Sequence, residues 1–337
     1  MDSKSIILIL ASNKDIHVDA VISYLNDMGQ EVIRIDPSAF WPRDSKLVWH
    51  IDSLQNSATL NWNGKVIEAN RVKAVFNRDF SFAKPQEGQD IAELLKYAES
   101  RTALYGFFRV LENTYWMNPP WYEEMVDNKA YQYTAALEAG LRIPKTLITN
   151  NPDEFVDFYE MCDREVIIKQ LSEICLIEEV EYPSQYSSDI EQTAYGFYTN
   201  TVSQEHLDNL DEIINSPCLF QEHITKKSDI RVTVVGNKIF ASSIDSQTTN
   251  ESKVDFRREP FLPICDYSLP VDIEQRLLQL VHSWGLRFAA CDFVHSLNDE
   301  LIFLEANVVG NWLWTEMEGS DIAKEIAIQL ASAQLQV

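Results

Sequence analysis

Basic residues, paired cysteines and long apolar runs are scarce in this sequence, and each shortage removes a class of protein. Lys and Arg number 28 against 52 Asp and Glu, a formal net charge of −24. So acidic a chain is unsuited to binding along a nucleic-acid phosphate backbone. It is compatible with a basic peptide partner or with a solvated acidic surface. The apolar runs, such as Ile6 to Leu10, are far too short to cross a bilayer. Asp2 and Lys4 lead straight into that run, with no signal-peptide pattern, so a cytoplasmic location is expected. Five cysteines (Cys162, Cys175, Cys218, Cys265, Cys291) are scattered singly and none has CxxC spacing. Neither a zinc site nor a disulfide framework is supported, and buried structural thiols are expected. The turn Ala11-Ser-Asn-Lys-Asp15 carries neither GxGxxG nor a Walker motif, which argues against a dinucleotide site there.

What is present suits two or three lobes around a shared cleft, because 337 residues exceed one small core. The 45% hydrophobic and 24% charged content is that of a globular protein. Ile6–Leu10 reads as a strand buried on both faces, Val18 to Met28 as a helix closed by Gly29, and Val32–Ile35 as a second strand. An α/β N-terminal lobe follows from this opening. Asn63-Gly64 between two apolar stretches predicts a hairpin. Val72–Phe76 predicts a strand, and 91 to 111 a long helix. Trp116-Met-Asn-Pro-Pro120 breaks the pattern and sets a first boundary, giving lobes 1–116, 117–217 and 218–337. Within the middle lobe, Asp127 to Ala139 is expected to be helical and Val166 to Gln170 a strand, whereas 171–200 is acidic and hard to assign. The last third alternates strands (218–222, 230–235, 238–243, 288–294, 301–305) with helices at 272–284 and 321–335.

Three segments carry chemistry. Ala290-Cys-Asp-Phe-Val294 and Leu301-Ile-Phe-Leu-Glu-Ala-Asn307, joined by a polar turn, would bring Asp292 near Glu305 and Asn307. Residues two apart share one face of a strand. Two carboxylates and an amide are hard oxygen donors suited to Mg²⁺; a hairpin with one buried acid is the alternative. Gln221, Glu222, His223 and Ile224 form a strand that could offer backbone groups to an adenine edge, with Asp229 following at ribose distance, although edge strands with acids are common. Lys129 stands at a helix start and Lys169 inside an apolar strand. Each needs an anion, either phosphate or a structural carboxylate.

In this order the residues resemble the ATP-grasp superfamily over about 117–315, the Glu305-Ala-Asn307 ending being the most specific part. The resemblance implies an α/β (α+β) ATP-grasp fold: a small N-terminal lobe followed by two lobes clasping ATP. It assigns Lys129, Lys169, Gln221, Glu222, His223, Ile224 and Asp229 to the nucleotide and Asp292, Glu305 and Asn307 to Mg²⁺, with two ions expected. The stretch Ala194-Tyr-Gly-Phe-Tyr-Thr-Asn200 has a single glycine where that family often has a glycine-rich phosphate-covering loop. More narrowly, Asn77-Arg-Asp79, Trp116-Met-Asn-Pro-Pro120, Asn128-Lys129, Ile143-Pro-Lys-Thr-Leu-Ile-Thr-Asn150, Tyr198-Thr-Asn200 and Val254-Asp-Phe-Arg-Arg258 resemble the microviridin-type graspetide ligases. Those enzymes join Asp or Glu side chains of a ribosomally made precursor peptide to Thr, Ser or Lys side chains.

That likeness implies Arg231 and Arg257 as the groups that hold the transferring phosphoryl group and the acyl oxyanion, since guanidinium stays charged and binds two oxygens at once. Arg258 is a candidate for the acidic core of the peptide, against simple surface solvation. The segment 171–200, with Glu178, Glu179 and Glu181 among apolar residues, is a candidate leader-binding surface, against a loop with no partner. His223 and His295 are expected to be structural rather than bases. A homodimer is compatible with these features. Two rivals stay open: another ATP-grasp carboxylate–amine ligase, and a non-catalytic nucleotide-binding protein on the same fold.

Overall fold

A computed structural model describes residues 5–37, 45–54, 56–78, 80, 90–171, 176–180, 191–195, 198–259, 261–316 and 321–335, with backbone only for 124, 176–180 and 191–195. Asp79, Glu181 and the side chains of Glu178 and Glu179, named above, therefore lie outside the described residues.

The N-terminal lobe runs β1 (Ile6–Leu10), α1 (Ile16–Asp27), β2 (Glu31–Ile35), β3 (Lys46–Ile51), β4 (Asn56–Trp62), β5 (Lys65–Glu68), β6 (Val72–Asn77), α2 (Ile91–Val110) and β7 (Tyr115–Met117). A parallel sheet in the order β2-β1-β6-β7 forms its centre. All five residues of β1 are buried, as its unbroken apolar run requires. Asp15 caps α1, its carboxylate accepting from the amides of His17 and Val18. A separate β3-β4-β5 meander turns at Asn63 and Gly64, both at positive φ, the geometry that a two-residue hairpin needs. The Lys46–Ile51 strand had no counterpart in the sequence reading.

Next come α3 (Pro120–Val126), α4 (Lys129–Glu138), β8 (Thr146–Thr149), α5 (Pro152–Met161), β9 (Val166–Lys169), β10 (Leu176–Val180), β11 (Glu191–Tyr195), β12 (Asn200–Thr201), α6 (Gln204–Asp208) and β13 (Cys218–Glu222). Strands β12-β9-β13-β8 make an antiparallel sheet, and β10 pairs with β11 as a hairpin. Phe155, Phe158, Cys162, Val166 and Phe220 form this lobe's own small core. Asp127 ends α3, so α4 starts two residues later than the sequence suggests. Helix α4 packs elsewhere: Ala136 and Leu141 share a core with the C-terminal sheet.

The remainder comprises β14 (Lys226–Val235), β15 (Lys238–Ile244), α7 (Asn250–Val254), β16 (Ile264–Asp266), α8 (Val271–Ser283), β17 (Phe288–Ser296), β18 (Leu301–Asn307) and α9 (Ile322–Ser332). Its sheet runs β16-β15-β14-β17-β18 and is antiparallel throughout. Helix α9 returns to the first lobe: Ile322, Ile326, Ala327 and Leu330 share a core with Ile7, Ile9, Val18 and Val21.

Asn118 explains the break at Trp116-Met-Asn-Pro-Pro120. It is buried at φ 58°, a region that Asn tolerates better than most residues. Its Nδ2 donates to the carbonyls of Phe288 (2.8 Å) and Val308 (2.6 Å), and its Oδ1 accepts from the amides of Arg287 and Phe288 (3.1 Å each). One amide thus joins the exit of the first lobe to the starts and ends of β17 and β18.

Candidate active site

The central row of the site is set by strand register. Arg231 on β14, Asp292 on β17 and Glu305 on β18 stand directly opposite one another, so all three project from one face. Arg231 donates to Asp292 Oδ2 at 3.0 Å, and Asn307 Nδ2 reaches the same oxygen at 3.3 Å. Asp292 Oδ1 is buried and has no hydrogen-bond partner among the described residues. Helix α4 is held against this row by Gln132, which donates to the carbonyl of Ala306 (2.9 Å) and accepts from its amide (2.8 Å). One turn earlier, Lys129 Nζ meets Glu305 Oε2 at 2.8 Å.

A cleft opens over this row. It is lined by Lys129, Lys169 and Lys226, by the Gln221–Ile224 segment, and by Asp229, Arg257, Asp292 and Glu305. Three ammonium groups thus line one cleft in a chain of net charge −24, two of them paired with cleft carboxylates, Lys129 with Glu305 and Lys226 with Asp229. Lys169 is the last residue of β9 rather than an interior one, and forms no ion pair among the described residues. Burial pushes its ammonium below its ordinary pKa, with Glu305 opposing and the neighbouring lysines adding to the shift. Lys226 was missed in the sequence. It pairs with Asp229 at 2.7 Å, and both side chains are nearly buried, so Asp229 is engaged by a lysine three residues away.

The two central carboxylates show the same electrostatics from the other side. Burial raises the pKa of Asp292, with Arg231 opposing and Glu305 adding to the rise. Burial would also raise Glu305, but Lys129 and Lys169 hold it well below the usual carboxylate range. The two acids are balanced by Arg231 on Asp292 and by Lys129 on Glu305. Because only two carboxylates meet here, a cation bound to them needs further oxygens from elsewhere. Among the described residues no three His, Cys, Asp or Glu side chains come together as a metal site.

Ile224 links β13 to β14, lines the cleft, and makes no backbone hydrogen bond among the described residues. Its N–H and C=O are therefore free for a heterocycle edge. The amide of His223 is used by the carbonyl of Glu165 (2.8 Å), and Glu222 is tied to Lys145. Gln221 is fully buried and donates to Thr146 Oγ1 (2.9 Å).

Beyond the row lies a second chamber of ≈ 550 Å³, lined by Glu123, Asp127, Arg231, Arg257, Asn307, the 308–311 loop and Trp314. Arg257, Phe256, Asp292 and Glu305 line both cleft and chamber, so the two meet at these side chains. The Arg231 guanidinium carbon lies 5.2 Å from the centre of the Trp314 ring.

Arg257 is aimed by Asp255, a residue to which the sequence gave no role. Asp255 accepts from Arg257 through its amide (3.1 Å), Nε (2.9 Å) and Nη2 (2.6 Å), and from the amide of Thr199 (3.0 Å). Arg258 holds the same segment from its other side, donating to Thr199 O (2.9 Å) and Asn200 Oδ1 (2.6 Å) with its guanidinium over the Tyr198 ring. The segment after the β10–β11 hairpin is thus clasped to the last lobe beside the cleft.

A central lobe and a C-terminal lobe closing on a lysine-lined cleft above an Asp…Glu-x-Asn row define the ATP-grasp fold, and the chain is an ATP-dependent ligase. Residues 5–124 match the model of the MvdD pre-ATP grasp domain. Solved structures are similar over nearly the full length. The Chryseobacterium gregarium RiPP-associated ATP-grasp ligase, in complex with ADP and a leader and core peptide, shares 27% identity at a TM-score of 0.83, covering 99% of this chain and 100% of that one. Macrocyclase MdnC from Microcystis aeruginosa MRC, bound with precursor peptide MdnA, shares 27% identity at 0.80, covering 97% and 99%. Macrocyclase MdnB from the same organism shares 26% at 0.77, covering 98% and 100%. No curated protein matches the sequence. The chain is an ATP-grasp ligase that resembles the microviridin-type graspetide ligases.

Proposed function

We propose that this ligase phosphorylates Asp or Glu side-chain carboxylates of a ribosomally made precursor peptide and joins them to Thr or Ser hydroxyls, or to Lys amines, of the same peptide. The γ-phosphoryl group of ATP passes to a carboxylate oxygen and ADP leaves. The hydroxyl or amine then attacks the acyl carbon, inorganic phosphate departs, and the nucleophile's proton is released. The net change is ATP to ADP and phosphate with loss of one water per ring.

The observation that carries this reading is that the lysine-lined cleft and the second chamber meet at Asp292, Glu305 and Arg257. A nucleotide on one side and a peptide carboxylate on the other would touch across that row. Lys129, Lys169 and Lys226 hold the phosphates as charge-assisted donors. Gln221, Glu222, His223 and Ile224 line the adenine end, where the free Ile224 backbone reads the ring edge, and Asp229 stands near the ribose. Asp292, Glu305 and Asn307 would hold Mg²⁺, a fit supported by the buried Asp292 Oδ1, which has no partner among the described residues, and by their hard-oxygen chemistry. When bound there, the ion would supply positive charge for the phosphates. Arg231 and Arg257 bind the transferring phosphoryl group and the acyl oxygen. Arg258, committed to Thr199 and Asn200, serves the peptide indirectly by holding that segment in place.

A leader segment docks on the middle lobe around 171–200, which includes the β10–β11 hairpin and Glu178, Glu179 and Glu181. A separate groove of ≈ 440 Å³ on the same lobe is lined by Phe155, Ile168, Val202, Leu210, Ile213 and Phe220, with Glu205, His206 and Glu212 among its polar residues. Binding a fixed leader raises the effective concentration of every acceptor in the core.

The test is incubation with MgATP and a panel of synthetic acidic peptides, read by mass and by ADP release. Loss of water within one peptide, matched by ADP, is the expected result. Gain of an amino-acid residue instead points to a different carboxylate–amine ligase, and ADP release with no acceptor consumed overturns the proposal.

A further inference from the structure

Arg78 follows the last residue of β6, far in sequence from every nucleotide or metal residue, yet it is buried. Its Nε lies 3.3 Å from Asp15 Oδ2, and its Nη1 donates to the carbonyl oxygens of Val309 and Gly310 (2.9 Å to the latter). Nη2 donates to Asn311 Oδ1 at 2.9 Å, and the guanidinium carbon sits 4.8 Å from the centre of the Trp312 ring. A single N-terminal side chain thus grips four consecutive residues just after Asn307.

His17 grips the same stretch from a second point. Its Nδ1 accepts from the amides of Trp312 and Leu313, both at 3.4 Å, and its ring packs 4.5 Å from that of Trp312. Burial, helped by Arg78, drives the His17 pKa down to about 4, so Nδ1 stays an acceptor at neutral pH. The gripped residues Val309, Gly310 and Asn311 are a wall of the second chamber. Gly310 has no room for a side chain, so the backbone packs closely here: a Cβ there would lie 2.5 Å from that of Ala290 and 3.0 Å from that of Asn307.

We propose that Arg78, with His17, is a positioning residue by which the N-terminal lobe sets the shape of the second chamber and so governs productive placement of the peptide's reacting groups, not of the nucleotide. This rests on the ligase reading above. Arginine is required because a planar fork reaches Asp15, two carbonyls and Asn311 at once, whereas lysine offers one point.

Arg78→Lys is tested in the full chain with MgATP and whichever acidic peptide of the synthetic panel the wild type dehydrates fastest. The expected result is a kcat/KM for peptide at least about tenfold lower, an MgADP affinity unchanged by calorimetry, and faster amide exchange confined to 309–313. His17→Asn, whose Oδ1 stands where Nδ1 does, retains peptide turnover, and His17→Leu lowers it, which keeps the proposal open to refutation if Arg78→Lys folds poorly. Unchanged peptide kinetics in both Arg78→Lys and His17→Leu overturns it, as does a parallel loss of peptide turnover and MgADP affinity. Should the wild type dehydrate no peptide, the ligase reading fails, and the exchange arm alone decides Arg78: unaltered protection at 309–313 overturns its role.

Discussion

Asp255→Asn removes a buried carboxylate that receives three donors from Arg257 and one from Thr199. Burial on its own would raise the Asp255 pKa, but those donors, Arg257 foremost, hold it down to about 2, against 3.8 ordinarily. A shift of that size corresponds to about 2 to 2.5 kcal/mol, or roughly thirty- to sixtyfold in an equilibrium. The folded value is depressed, so the stabilisation is complete above the unfolded value near pH 4 and is lost as pH falls through 2. Asparagine accepts fewer of these bonds and carries no charge. Urea unfolding at a series of pH values is therefore expected to show the variant about 2 kcal/mol less stable than the wild type at pH 7. The gap should narrow below pH 4 and close near pH 2, because the other carboxylates cancel in the difference. Amide exchange at Thr199 should quicken by roughly thirty-fold at neutral pH, and turnover should fall because Arg257 loses its aim. A stability gap that stays constant between pH 6 and pH 2.5, or no gap at pH 7, refutes the electrostatic account of this clasp.

Lys169→Ala should weaken ATP binding by about ten- to a hundredfold, the worth of a lost charge-assisted bond to phosphate; calorimetry showing unchanged affinity returns Lys169 to a structural role. Glu305→Gln or Asn307→Ala should reduce product formation by at least about a hundredfold with the fold intact, whereas full ligation at millimolar Mg²⁺ removes them from the metal site. Asn118→Ala should lower stability by about 3 kcal/mol, because four buried backbone groups lose their partner, as measured by denaturant unfolding. A loss below about 1 kcal/mol means that water takes the place of the amide.

The parts of this site legible in the sequence are those fixed by strand geometry. Glu305 and Asn307 share a face because they are two apart, and the short polar turn before Leu301 predicts that β17 and β18 pair, which places Asp292 opposite Glu305. Lys169 stands out because its apolar neighbours give a lysine nowhere to go, and Lys129 because it stands at a helix start. Lys226 carries no such signal: it lies in Thr225-Lys-Lys-Ser228, which reads as a solvated turn, and only β14 starting at 226 buries it. Asp255 and Arg78 act through backbone groups 56 and more than 230 residues away, pairings that no local period encodes. The Asp255-Phe-Arg-Arg258 and Asn77-Arg-Asp79 strings were visible, yet their physical purpose was not. Helix α4 shows the same limit, since its amphipathic pattern shows a buried face without saying which sheet lies beneath it. That sheet turned out to be the C-terminal one, through Ala136, Leu141 and the Gln132 clamp.

The return of α9 to the first lobe has a mechanical consequence. Its buried face is continuous with β1 and α1, Lys73 caps its end through Ala331 O at 2.6 Å, and Phe288 and Trp312 complete the same core. The chain's beginning and end are thereby welded into one chassis that carries the metal row, the second chamber and α4. Parting them means exposing a full apolar core, whereas the middle lobe keeps a small core of its own. Under the proposed function the middle lobe is the expected jaw, by whose swing against the chassis nucleotide would enter and ADP leave. Each opening stroke then has to release the Thr199 amide from Asp255 and the Thr199 carbonyl from Arg258. Exchange at the Thr199 amide would count those strokes, and a rate indifferent to bound ADP would show that the jaw does not move there.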